Sequence, residues 1–144
     1  MKDTVALRHI GKMSFDVVVN GHHLLLDTAE EFGGNNGGPR PKSLLMAALA
    51  GCTAMDVVSI LNKMKIQFEE FRISIEGNVT EEHPRHYDKM HIKYIVTGNN
   101  IPGDKVKHAI ELSQDKYCGV SYTLKKALDV TWELVIGEKA KMNS

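Results

Sequence analysis

The chain has 144 residues, of which 42% are hydrophobic, and its 18 basic residues balance 18 acidic ones. A chain of this length fits one domain, and its apolar content can supply a core without disulfide bonds. The absence of net charge and of any basic tract argues against a nucleic acid partner. We therefore predict a single domain over residues 1–144 that does not bind nucleic acid.

The amino terminus and the cysteine content indicate the compartment. Residues 1–4 become polar where a secretion signal would turn apolar, and the longest unbroken apolar run, residues 44–50, is much shorter than a membrane span. Two cysteines without an export signal point to a reducing compartment. We expect a cytoplasmic protein that makes no membrane contact.

The first thirty residues predict three antiparallel strands. Apolar and polar residues alternate over residues 4–9 and 15–19, and an apolar run follows at residues 24–26. Asn20-Gly21, between the second and third runs, is a strong hairpin signal because both residues tolerate positive φ.

A loop with four glycines, residues 33–40, follows the predicted strands. Glycines before a helix can expose backbone amides to a phosphate, and Arg40 would add positive charge. The loop lacks the Gly-Lys-Ser/Thr ending of a P-loop, and no strand runs directly into it. A mobile lid or a loop that crosses between subunits is the favoured interpretation.

Residues 41–64 predict a long helix of about six turns, with Pro41 at its first position and Gly51 as the only internal breaker. Every residue from 44 to 50 is apolar, so no side of this half can face water. We expect it to be buried on all sides by the rest of the chain or by a second chain.

The remaining residues predict two strands, two helices and a closing strand. Alternation marks strands at residues 71–75 and 90–96, and a helix from Pro102 keeps Val106, Ala109, Ile110, Ser113 and Tyr117 on one face. A short helix begins at Cys118, and residues 130–136 alternate as the last strand. This order predicts an α+β fold with antiparallel sheets around a long central helix.

The two cysteines, Cys52 and Cys118, stand in different settings. A thiol with the ordinary pKa of about 8.5 is mostly protonated at neutral pH, so its surroundings must favour the thiolate. Cys118 stands where a helix begins, and free amides there favour a negative sulfur. Cys52 lies mid-helix with Asp56 one turn later, so it needs a cation from elsewhere. Both could also be small buried hydrophobic residues.

Two segments resemble the OsmC/Ohr family of thiol-dependent peroxidases. They run from Gly38-Pro39-Arg40-Pro41 to Ala50-Gly51-Cys52, and over Tyr117-Cys118-Gly119-Val120-Ser121. The resemblance implies an intertwined homodimer with the long helices in its middle and two sites at the subunit interface. It also implies that Cys52 attacks the peroxide and that Cys118 is its resolving partner.

The family uses an arginine to hold the thiolate and a glutamate near the start of the central helix to orient that arginine. No acidic residue occurs over residues 32–55 of this chain, so the glutamate has no counterpart. Arg40 and Arg8 are the candidates for the arginine. Asp56, Glu30 and Glu31 are the candidates for the missing carboxylate.

Three functions follow from these observations. The first is reduction of organic hydroperoxides by a Cys52/Cys118 redox pair that an external dithiol resets, with no cofactor and no metal. The second is a non-catalytic OsmC-like protein that binds a small ligand or senses redox state. The third is structural, with zinc held between the two thiols and histidines.

Overall fold

The strands and helices predicted from the sequence all appear in the computed structural model, which describes residues 1–137. Residues 138–144 of the predicted single domain lie outside the described part. Contacts group the chain into an amino-terminal unit, Met1–Leu45, and a second unit that begins at Met46. A single domain stays a prediction.

The amino-terminal unit holds a sheet of three antiparallel strands in the order β1 (Val5–Gly11), β2 (Ser14–Val19) and β3 (His22–Leu26). Asn20 and Gly21 connect β2 to β3 with φ of 52° and 79°. Both values are positive, as the turn between twisted antiparallel strands requires. The predicted strands and the Asn-Gly hairpin are confirmed.

The glycine loop is anchored to the carboxylate of Asp27. Asp27 is buried, and its oxygens accept hydrogen bonds from the backbone N–H of Thr28 (2.8 Å) and Gly37 (3.0 Å) and from Ser14 Oγ (3.0 Å). The Thr28 amide has the largest effect in lowering the pKa of Asp27, and burial opposes it. Because the chain's own carboxylate occupies these amides, a phosphate would have to displace it.

Asp27→Asn should lower the thermal unfolding midpoint at neutral pH by a few degrees, because an amide nitrogen cannot accept the bonds that the carboxylate accepts. The folded-state pKa is lowered, so this stabilisation is full above the unfolded pKa of about 3.9 and is lost as pH falls through the folded value. Thermal scans from neutral pH to about pH 3 should show the two proteins converging. The exposed Glu31→Gln is the control, and a difference that stayed constant with pH would contradict the prediction.

The second unit contains a sheet in the order β4-β5-β6, together with the helices that connect its strands. Its elements are α1 (Leu44–Lys63, which begins two residues before the unit), β4 (Glu70–Val79), β5 (Tyr87–Thr97), α2 (Gly103–Leu112), α3 (Gly119–Leu124) and β6 (Asp129–Gly137). β4 is antiparallel to β5, whereas β6 is parallel to it. The prediction of antiparallel sheets is therefore wrong for β6. The crossover through α2 and α3 returns the chain to the end of the sheet where β5 begins.

Helix α1 begins at Leu44, because residues 41–43 form a turn in which the Leu44 N–H donates to the Pro41 carbonyl at 3.1 Å. One face of the helix is buried, at a spacing of four residues: Leu49, Thr53, Val57 and Leu61. Ala47 and Ala48 are exposed. Within one chain residues 44–50 are therefore only partly covered. Their burial on all sides stays a prediction that requires a second chain.

By length and composition alone, α1 could also cross a membrane. Core helices pass the same test, and the buried face of α1 belongs to a core shared with β5 and α2. The main contributors from those two elements are Met90, Ile92, Tyr94, Val96, Val106, Ala109 and Ile110. Each large side chain buried in this way contributes roughly 1.5–3 kcal/mol, so α1 is firmly held in the second unit.

Candidate functional site

The structure brings the two cysteines together. Cys52 lies in the middle of α1, and Cys118 is the N-cap residue of α3. Both are free thiols, with Cys118 buried and Cys52 half-buried, and their sulfur atoms lie within 4.8 Å of each other. A small movement would bring the two sulfurs into bonding distance.

Asp56 is the third member of this site. It follows Cys52 by one helical turn, which sets both side chains on the same face of α1. A carboxylate oxygen lies within 4.8 Å of each sulfur, and Oδ2 accepts a hydrogen bond from Ser113 Oγ at 2.9 Å. Within residues 46–137 no ion pair joins Asp56 to a lysine or arginine. Its role of orienting an arginine stays a prediction.

The environment of Cys118 differs from the expected one. The backbone N–H of Ser121 donates to its sulfur at 3.4 Å, as the start of a helix predicts, and Ser121 Oγ donates to Gln114 Oε1 at 2.7 Å. Burial nevertheless raises the pKa of the Cys118 thiol to about 11, and the neighbouring Cys52 and Asp56 also raise it. The helix start therefore lowers the pKa of Cys118 as expected, but burial and two acidic neighbours outweigh its one amide.

A buried hydrogen-bond chain leads to Asp56. Gln114 Nε2 donates to Tyr94 OH (2.9 Å), which contacts Thr53 Oγ1 (2.7 Å). Thr53 Oγ1 in turn contacts Ser113 Oγ at 2.8 Å. A hydroxyl has one proton to donate, and Ser113 uses its proton on Asp56. Thr53 therefore donates to Ser113, and Tyr94 donates to Thr53. Each of these hydrogen bonds is therefore donated in the direction of the Asp56 carboxylate. We call the four residues of this network the polar chain: Thr53, Tyr94, Ser113 and Gln114.

A π-helical turn, Ser113–Tyr117, precedes Cys118 and sets its position. The backbone N–H of Cys118 donates to the carbonyl of Ser113, five residues earlier, at 2.7 Å. This wider turn changes the angular position of the residues within it, and Tyr117, predicted on the buried face, is 54% exposed. Such turns are frequent at functional sites.

The polar chain was not predicted from the sequence, although one signal was present. Thr53 stands four residues from both Leu49 and Val57, on the buried face of α1. A hydroxyl on such a face needs a buried partner. The partner itself could not be named, because it comes from β5 and from the π turn.

We expect Thr53→Val and Tyr94→Phe each to cost roughly 1–3 kcal/mol of unfolding free energy, because each removes a partner from a fully buried hydroxyl. The double variant should cost clearly less than the sum, since it removes both ends of one bond. Urea unfolding of the four proteins measures this. Tyr122→Phe, at an exposed tyrosine, is the control and should cost almost nothing. If the cost of the double variant equalled the sum of the two single costs, the expected coupling between Thr53 and Tyr94 would be contradicted.

A cavity of about 490 Å³ reaches Asp56 in the second unit. Its lining is mostly apolar, with Ser59, Lys63 and the carboxylate as polar members: Met55, Asp56, Ser59, Ile60, Lys63, Leu112 and Tyr117. In the described part of the chain neither sulfur lines this cavity. Asp56 therefore borders the cavity and also lies within 4.8 Å of both thiols.

The two candidate arginines, Arg8 and Arg40, belong to the amino-terminal unit. Arg8 is exposed on β1, and Arg40 is half-buried. Arg40 Nη1 donates to Asn36 Oδ1 (2.7 Å) and to the Gly38 carbonyl (3.0 Å), both within the glycine loop. A role for either arginine in stabilising a thiolate stays a prediction.

Comparisons with known proteins agree with this fold. Residues 33–133 match the family model described as OsmC-like protein. Protein YhfA of Escherichia coli K12 is 35% identical over 114 residues, which cover 78% of this chain and 81% of YhfA. The match therefore includes most of both chains.

Solved structures are similar over almost the whole chain. The crystal structure of a hypothetical protein from Aquifex aeolicus VF5 has a TM-score of 0.79 and 26% identity, and covers 96% of this chain and 99% of its own. An organic hydroperoxide resistance protein, OsmC, from Legionella pneumophila has a TM-score of 0.64 and 19% identity, covering 94% and 96%. At 19% identity, the similarity to the Legionella protein shows a shared fold and nothing more.

Proposed function

The chain belongs to the OsmC-like protein family, and we propose that it reduces organic hydroperoxides with Cys52 and Cys118 as a redox pair. The observation that carries this proposal is the approach of the two free sulfurs to within 4.8 Å. The name of the Legionella structure, an organic hydroperoxide resistance protein, supports the choice of substrate class. The need for reduced thiols supports a cytoplasmic location.

In the first step the Cys52 thiolate attacks one peroxide oxygen. A sulfur–oxygen bond forms and the oxygen–oxygen bond breaks, so Cys52 becomes a sulfenic acid. The departing alkoxide takes up the proton that the Cys52 thiol released on ionising, and it leaves as the alcohol. The assignment of this step to Cys52 rests on the buried Cys118 thiol, whose raised pKa keeps it protonated at neutral pH. Arg40 or Arg8 would supply the cation that favours the Cys52 thiolate.

In the second step the Cys118 sulfur attacks the Cys52 sulfur. A disulfide bond forms, the sulfur–oxygen bond breaks, and the thiol proton leaves with the hydroxyl group as water. Asp56 is within 4.8 Å of both sulfurs, which supports it as the acceptor that carries this proton. An external dithiol then reduces the disulfide.

Intact mass and thiol counting test the pair directly. One equivalent of cumene hydroperoxide added to the reduced protein should remove both free thiols and lower the mass by two protons. A gain of one oxygen with one thiol retained would overturn the pairing. No reaction would overturn the peroxidase function itself.

A redox sensor is the second candidate, and the raised pKa of Cys118 favours it. A slow second step would hold the oxidised protein long enough to signal. Steady-state peroxide consumption with excess dithiothreitol separates the two functions. A steady-state rate close to that of the first step supports the enzyme. A much lower rate, limited by the second step, supports the sensor.

We also propose the homodimer, because α1 leaves apolar surface uncovered. Met55 is 77% exposed beside a groove of about 590 Å³. The groove is lined by Ala54, Met55, Val58, Ser59, Asn62 and Lys63. A second copy packing on this face would bury it.

Light scattering at micromolar concentration should therefore give twice the chain mass of 16.0 kDa. Met55→Glu should shift the protein towards the monomer, because it places a charge in an apolar interface. Gln67→Glu, which adds the same charge at an exposed position after α1, should not. A wild-type mass of one chain would contradict the homodimer.

A further inference from the structure

Cys52, Asp56 and Cys118 are the one group of three potential metal ligands within residues 1–137, and no histidine joins them. The hypothesis that zinc is held between the two thiols and histidines is therefore wrong about the histidines. Two thiolates and a carboxylate form a set that suits Zn²⁺, whereas Mg²⁺ and Ca²⁺ require oxygen ligands. We propose that the reduced site binds one Zn²⁺ per chain through both sulfurs and the carboxylate.

The spacing of the donor atoms fits a tetrahedral ion. All three lie within 4.8 Å of one another. Around Zn²⁺, with Zn–S near 2.3 Å and Zn–O near 2.0 Å, donors stand about 3.5–3.8 Å apart. Movements of about 1 Å by the donor atoms would bring them from the observed spacing to these tetrahedral distances. Cys52 and Asp56 share one face of α1 at a spacing of four residues, as ligand pairs on helices do.

Partners outside the ligand set hold two of the ligands in place. Ser113 Oγ donates to Asp56 Oδ2 at 2.9 Å, and the polar chain directs its other protons towards this bond. Cys118 is held by the Ser121 amide. Such outer partners orient metal ligands and typically change metal affinity 10–100-fold, as an order of magnitude. Zn²⁺ would thus enter a preorganised site.

Charge favours a dication at this position. Three acidic groups meet here, and within residues 46–137 no ion pair brings a lysine or arginine to Asp56. Zn²⁺ neutralises two thiolates and releases their protons. Asp56 also lines the cavity of about 490 Å³, which leaves room for water as the fourth ligand.

Zinc binding and oxidation exclude each other, a consequence that rests on the proposed function. When the zinc-bound pair reacts with a hydroperoxide, two thiolates, the hydroperoxide and two protons yield a disulfide, an alcohol and water. Zn²⁺ then loses both sulfur ligands and is released. The site would therefore release zinc on oxidation, and bound zinc would slow peroxide attack because it occupies the thiolates.

Cobalt(II) titration of the reduced, metal-free full chain tests the site. We expect one Co²⁺ per chain with tetrahedral d–d absorption and a thiolate-to-metal charge-transfer band, and displacement by stoichiometric Zn²⁺. Cys52→Ser and Cys118→Ser should each weaken the charge-transfer band and reduce affinity at least about tenfold. Asp56→Asn should reduce affinity while keeping the thiolate band. Ser74→Ala, at an exposed position on β4 away from these ligands in the sequence, is the control and should bind as the wild type does.

The oxidised wild-type protein serves as a second test that needs no substitution. Its disulfide form should lose the charge-transfer band completely and regain it after reduction. Weak octahedral binding, or a thiolate band unchanged in Cys118→Ser, would overturn the zinc site. Peroxide consumption measured with a chelator present is independent of this result, so failure of the zinc site and failure of the peroxidase function are distinguishable.

Discussion

Cys52→Ser should abolish the consumption of organic hydroperoxide, with a loss of several orders of magnitude in rate. The serine hydroxyl is far less nucleophilic than a thiolate at neutral pH. Cys118 should not take over the first step at neutral pH, since burial raises the pKa of its thiol to about 11. Stopped-flow measurement with cumene hydroperoxide gives the rate of this step directly.

Ser59→Ala is the matched control for this variant, since it lies two helical turns after Cys52 and is exposed. It should retain the wild-type rate. A full burst of peroxide consumption by Cys52→Ser would reject the assignment of Cys52 as the attacking residue.

Cys118→Ser should consume one equivalent of peroxide per chain and then stop. Cys52 becomes a sulfenic acid that no neighbouring thiol can resolve, so it persists or is oxidised further. Mass spectrometry with a sulfenic acid trap should identify the adduct on Cys52. Sustained turnover of this variant with dithiothreitol would show that the external reductant resolves the sulfenic acid and that Cys118 is dispensable.

Burial raises the pKa of the Cys118 thiol to about 11. Without a proton acceptor the rate of disulfide formation should therefore rise about tenfold per pH unit, because the thiolate fraction grows by that factor. Proton transfer to Asp56 should flatten this profile in the wild type, and Asp56→Asn should restore the steep dependence. A steep rise in the wild type would contradict proton transfer to Asp56.

The elements of the fold were predictable because their signals are local. The alternation of apolar and polar residues marked the strands, and Asn20-Gly21 marked a hairpin. The spacing of apolar residues along the sequence marked the helices. The direction in which β6 pairs with β5 was not predictable, since both pairings show the same alternation. How α1 is covered was not predictable in full, because composition does not say whether one chain or two cover a helix.

The candidate site could be predicted only in its three residues with thiol or carboxyl groups. Cys52, Asp56 and Cys118 are chemically distinctive, and the sequence identified all three. Their electrostatics depend on burial and on one another, which the helix-start argument for Cys118 ignored. The polar chain joins α1, β5 and the π turn, so no single stretch of sequence contains it.

The parallel pairing of β6 with β5 also bears on how the protein folds. The hairpin of β4 and β5 has local connections, whereas β6 can pair only after the crossover through α2 and α3 has formed. Cys118 lies within that crossover. We expect the thiols to remain apart while the hairpin forms and to meet only in a late step. Premature oxidation would then act on two separate thiols rather than on a pair, so folding under reducing conditions protects the chain.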